Sequence, residues 1–166
     1  MKSLSRSAAA LALAMGFTLA CASSHPHASA TADVKSDEFE ITEAVFRHQL
    51  DHDEPARMPR TFDFVLLSLS ELHNPPPDLV ARFSDQAPPV DPVSELRIDG
   101  RRGIHHKTRP GRGIILIMKS LRRLAPNRFE VEGELRRDGC STGHRYLVER
   151  RGDSWIVASD DLEWIT

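Results

Sequence analysis

The chain has 166 residues, a formal net charge of −2, 40% hydrophobic residues and only two cysteines, Cys21 and Cys140. That length suits one domain with a real core. The near-balanced charge gives no indication of a nucleic-acid partner, and two cysteines this far apart do not make a disulfide framework.

Residues 1–21 read as an export signal. Lys2 and Arg6 form a positive start, Ala8 to Ala20 is an apolar run too short to span a bilayer, and small residues follow. Two exits are open. Thr18-Leu19-Ala20-Cys21 resembles the lipobox of bacterial lipoproteins, which implies cleavage before Cys21 and a diacylated thiol. Ala20-Cys21-Ala22 also reads as an A-x-A site, and cleavage after Ala22 would release a soluble periplasmic or secreted protein. The lipidated exit is favoured because the apolar run ends abruptly on a cysteine. Cys21 is then the lipid-attachment residue, and the membrane is reached through an N-terminal lipid. Cys140 is left as a small buried residue or a free thiol.

Residues 22–35 are rich in small residues and read as a flexible tether. His25 and His27 lie in it and are expected to be solvated. A single domain then covers 36–166. Charge is segregated in it. Asp33 to Glu54 carries eight acidic residues and two basic ones, and Arg97 to Arg128 carries ten basic residues and one acidic. The basic block could face anionic lipid, polysaccharide or a partner. A solvated surface is the simpler reading.

Asp37 followed by Glu40 marks a helix start, and the spacing predicts a helix from Glu38 to about Asp51. Phe39, Ile41, Thr42, Val45, Phe46 and Leu50 fall on one arc, with Glu40, Glu43, Arg47 and Asp51 opposite. Gln49 sits in the middle of the apolar arc and His52 near its edge.

Thr61 to Leu69 reads as a strand, Asn74 as the cap of a short helix over Asp78 to Phe83, and Ala87 to Pro92 as a connector. Val93 to Ile98 is a predicted strand, and Gly100 to Gly113, which includes His105-His106-Lys107, a predicted basic loop. Four strands follow, Ile114–Leu121, Phe129–Leu135, His144–Glu149 and Trp155–Ala158, separated by turn residues as in an antiparallel meander. Ile114 to Met118 is apolar on both faces and should be covered on both. Glu130, Glu132 and Glu134 alternate with apolar residues and read as a solvated face paired with arginines, and Gly133 as a bend or bulge. The fold class is α+β: an N-terminal helix packed on a curved antiparallel sheet of five to six strands.

The stretches ITEAVFRHQLDHD (41–53), PPDLVARFSDQAPPV (76–90), GHRYLVERRGDSWIV (143–157) and EWI (163–165) resemble a family of uncharacterised bacterial exported proteins, many of them lipoproteins. The closing strands are also similar to the nuclear-transport-factor-2-like (cystatin-like) fold. This resemblance implies a helix lying in a curved sheet. It implies no activity, because fold does not fix function.

Gln49, His52, His144 and Tyr146 are predicted to line one pocket, since His144 and Tyr146 share a strand face. A His with a Tyr can carry acid–base chemistry, although spacing places no nucleophile, carboxylate dyad or phosphate loop beside them. His48 and His52, at i,i+4, could share a metal, but spacing specifies no third ligand. A thiol nucleophile at Cys140 would need a base. On a strand, His144 is on the same face but about 13 Å away. No cofactor is implied. The reading is an envelope lipoprotein, a non-catalytic binding or accessory module for a protein or small molecule. A small cavity enzyme and a metal binder are the alternatives.

Overall fold

The computed structural model describes residues 27–52, 62–97 and 103–166, with the side chains of the first helix described from Ser36 on. Cys21, His25 and the predicted cleavage sites lie outside the described residues.

One helix packs on a six-stranded sheet, giving a mixed α+β fold. Helix α1 runs His27–His52, β1 Phe64–Leu69, the short helix α2 Pro77–Ala81 and β2 Val90–Pro92. A 3-10 turn follows at Val93–Glu95, then β3 Gly113–Ala125, β4 Arg128–Arg137, β5 Cys140–Arg151 and β6 Ser154–Ile165. The strand order is β2-β1-β3-β4-β5-β6. β3 to β6 pair antiparallel in succession.

The sheet is mixed, not antiparallel as expected. β1 runs parallel to both β2 and β3. Parallel neighbours need a crossover, and the long 70–112 connection, which carries α2, β2 and the 3-10 turn, supplies it. β2 lies in the expected connector and is an edge strand, where Pro92 can sit because no partner needs its missing N–H. The strand predicted over Val93–Ile98 is instead the 3-10 turn up to Glu95, followed by an isolated bridge from Leu96 to His106.

Helix α1 begins nine residues before Ser36, in the stretch expected to be tether. Asp37 is therefore not a cap. It accepts a hydrogen bond from Trp155 Nε1 at 3.3 Å, tying the helix to the start of β6. Asn74 does not cap α2 either: Pro76 takes the N-cap position, and Asn74 Oδ1 accepts from the Ser94 backbone N–H at 2.8 Å.

The predicted arc of α1 is the buried one. Ile41, Val45, Phe46 and Gln49 are fully buried and Thr42 nearly so. The helix face of the sheet forms two clusters. Phe46 packs with Val65, Leu67, Leu79, Phe83, Ile114, Leu116 and Leu135, and Ile41 and Val45 pack with Phe129, Val131, Tyr146, Val148 and Trp155. Glu43 joins Arg47, at 2.9 Å, to Arg82 at the end of α2, which docks the short helix on the long one. On the opposite face, Phe64, Leu66, Ile115 and Ile117 are covered by Val93 and Ile104, so the start of β3 is enclosed on both sides as its composition requires.

Candidate functional site

The C-terminal end of α1 brings His48, Gln49 and His52 over the part of the sheet where β5 carries His144 and Tyr146. β6 adds a residue that the sequence reading missed, Asp160. Tyr146 and Asp160 are register partners, so both point to the helix face. Asp160 Oδ1 is 2.7 Å from His144 Nδ1, and Oδ2 is 3.2 Å from His48 Nε2. One carboxylate thus bridges a helix imidazole and a sheet imidazole. The side chains are 22% exposed for Asp160, 17% for His48 and 13% for His144, so the bridge is partly shielded from water.

The rings form a continuous set. His52 stacks on His48 with centroids 4.4 Å apart, His48 meets Tyr146 edge-on at 5.7 Å, and Tyr146 stacks with His144 at 5.7 Å. Burial pushes the Asp160 carboxyl up. The hydrogen bond and charge of His144, then those of His48, outweigh that and hold it below the usual carboxylate range.

Gly133 makes this packing fit. A Cβ there would lie 2.7 Å from Tyr146 Cε2 and 3.0 Å from Gln49 Nε2. The predicted bend at Gly133 falls on its neighbour: β3 shifts register between Met118 and Ser120, opposite Gly133.

The four residues predicted to share a pocket are therefore neighbours, but they do not line an open one. Gln49 and Tyr146 are completely buried, His144 is largely covered and His52 is exposed. Neither amide atom of Gln49 has a hydrogen-bond partner among the described residues. The expected His48–His52 metal pair does not converge. Its ring planes are 9° from parallel, and one ion cannot lie in two parallel ring planes. Among the described residues no group of three or more His, Cys, Asp or Glu is arranged to hold a metal ion.

An open concavity with an apolar lining is elsewhere. An apolar groove of about 450 Å³ lies beside the middle of α1, lined by Phe39, Thr42, Leu69, Leu79, Met118 and Leu121, together with Glu38. From Phe39 to His48 the helix climbs about 13 Å, so the groove lies beside the middle of α1 and the histidine cluster at its C-terminal end.

Two other sequence candidates, Glu134 and His106, resolve differently from expectation, and Cys140 is a free thiol, one of its two expected states. Glu134 is buried, not solvated. Burial raises its carboxyl, but hydrogen bonds from Arg136 and Lys119 (Nζ at 2.9 Å) outweigh this and hold it low. The Trp164 ring covers Gly143, the register partner of Glu134. His106 is turned inward from its loop and does not face solvent. It is buried, and its Nδ1 accepts from the backbone N–H groups of Thr108 and Arg109, both at 3.1 Å. That fixes the neutral tautomer with its proton on Nε2, which lies 3.4 Å from Asp91 Oδ2. Cys140 is half-buried beside Arg137, with Sγ to Nη2 at 3.7 Å.

No protein-family model, curated protein or solved structure matches this chain. Among the described residues no helix is long and apolar enough to cross a membrane.

Proposed function

We propose that this chain is an exported protein of the bacterial envelope, held at the membrane by a lipid on Cys21, and that its domain is a non-catalytic binding or accessory module. One observation carries the second half of this reading. The acid–base groups are joined to one another and largely covered at the C-terminal end of α1, while a groove about 13 Å away along the helix is lined by apolar side chains. A catalyst needs its titratable groups at the cavity that holds the substrate. An apolar groove with few polar groups suits retention of an apolar side chain or small molecule. The likeness to the nuclear-transport-factor-2-like fold belongs to the same proposal. It is supported by the helix lying across the sheet, and the parallel β1 departs from the sheet expected of it.

The experiment pairs binding with turnover. The domain should take up an apolar fluorescent probe saturably, and Met118→Lys, in the groove, should abolish the uptake. Wild-type protein and His144→Gln should give the same background on ester, phosphate and glycoside substrates. Turnover that disappears in His144→Gln would replace this reading with an enzyme. The observation favouring that second reading is the 2.7 Å contact of His144 Nδ1 with Asp160, which would orient the imidazole as a general base.

A further inference from the structure

The β3–β4 and β5–β6 turns lie side by side at one end of the sheet, where the Arg150 N–H donates to the Asn127 carbonyl at 3.0 Å. The same end receives α1 at Asp37, whose carboxylate is 3.6 Å from both Arg123 and Arg150. From Asp37 the helix continues back to His27, about 15 Å, and the chain reaches Cys21 six residues earlier. The end of the sheet that carries both turns is thus the end from which the chain leads toward the proposed anchor.

That end presents arginine. Arg122, Arg123, Arg128 and Arg150 have side chains 67%, 45%, 48% and 43% exposed. Their acidic partners are set deeper: Glu130 is 22% exposed, Asp37 13% and Glu149 32%. The guanidinium groups therefore lie outside these three carboxylates; of the acidic residues at this end, Asp153 in the β5–β6 turn is exposed as well. Arg122 and Arg128 lie toward one sheet face and Arg123 and Arg150 toward the other, following their pairings with Glu130, Glu149, Phe129 and Trp155. Arg151 is exposed beside them, and Leu124, 44% exposed, sits in the strand end next to the β3–β4 turn.

We infer that this arginine-rimmed end, with Leu124, is a docking surface for an anionic phospholipid bilayer. Exposed arginines near anionic headgroups strengthen membrane binding, and here they would orient a domain that a lipid already holds. Leu124 adds an apolar group that can enter the headgroup region. The orientation argument rests on the Cys21 anchor, but the surface itself does not, so its test uses protein without that cysteine.

The chain from Ala22 onward contains every described element. It should co-sediment with vesicles of phosphatidylglycerol and phosphatidylethanolamine, and far less with phosphatidylcholine vesicles, in about 0.1 M salt. Raising the salt to about 1 M should release it. Each exposed arginine near an anionic surface strengthens binding about fivefold. The combined variant Arg122→Gln, Arg128→Gln, Arg151→Gln should therefore bind at least tenfold more weakly, at an unchanged far-ultraviolet circular dichroism spectrum. Leu124→Ser, which breaks no ion pair, should weaken binding severalfold and covers the case in which the triple variant misfolds. Equal binding to both vesicle types, or capture by dextran sulfate without capture by vesicles, would overturn the inference. So would vesicle binding that neither variant changes. Failure of Cys21 acylation would leave these outcomes as they are.

Discussion

Replacing Asp160 by Asn removes the charge at the point where α1 is fastened to β5 and β6. The wild-type carboxylate serves two imidazoles, at 2.7 Å and 3.2 Å, through different oxygens. Asparagine keeps one carbonyl oxygen, so one contact survives as a neutral hydrogen bond and the other is lost. A hydrogen bond to a charged group is worth about 1.5–3 kcal/mol and a neutral one about 1. The three side chains are 13–22% exposed, so the low end of that range applies. The expected cost is about 2 kcal/mol. For a domain of this size that lowers Tm by about 6–10 °C, read by circular dichroism at pH 7 on the chain from Ala22. The pH dependence follows from the lowered Asp160 carboxyl. A carboxylate depressed in the folded state contributes its full stability above its unfolded pKa, about 3.9, and loses it as pH falls toward the folded value. The gap between wild type and Asp160→Asn should therefore be present at pH 5 and close below about pH 4. A Tm within 2 °C of wild type at pH 7, or a gap that persists to pH 3, would refute the bridge as a fastening of helix to sheet.

Gly133→Ala introduces a Cβ 2.7 Å from Tyr146 Cε2 and 3.0 Å from Gln49 Nε2; overpacking of this kind costs about 1–3 kcal/mol, and an unchanged urea midpoint would contradict the close approach. Gln49→Met keeps the volume and removes two buried polar atoms without partners among the described residues. It should raise stability by about 1–3 kcal/mol, and a loss of stability would mean that the amide is bonded. His106→Phe keeps the ring but removes the acceptor of the Thr108 and Arg109 N–H groups; amide exchange at those two residues should quicken, with a cost of about 2 kcal/mol, and unaltered exchange would show that the ring only fills space.

Much of the core was legible because periodicity reports burial directly. The arc of α1 and the doubly apolar start of β3 both follow from where apolar residues recur. Gln49 was also legible as a polar residue in an apolar arc, since a buried amide stands out against its neighbours. The direction of β1 was not, because nothing local distinguishes a parallel neighbour from an antiparallel one; the long connection does that, and its pairings are non-local. Asp160 was hidden for a related reason. Ser159-Asp160-Asp161 has poor strand propensity, so β6 was expected to stop at Ala158. Pairing with β5 carries the strand to Ile165, with Asp161 opposite Arg145 and Asp160 reaching two histidines from distant parts of the chain. Histidines at 48, 52 and 144 pointed to a polar neighbourhood, but the carboxylate that joins two of them becomes visible only when the sheet is assembled. The same applies to Asp37 and Asn74: both look like caps, and each is used instead to tie together segments far apart in sequence.

The measurement that bears most directly on the proposed function is the mass of the mature N-terminal peptide, taken from membrane and soluble fractions of a bacterial host expressing the full chain. The account predicts a peptide that begins at Cys21 and carries a diacylglycerol thioether, recovered from the membrane fraction, with Cys21→Ala shifting the protein to the soluble fraction. A mature chain beginning at Ser23, without Cys21 and wholly soluble, would contradict it.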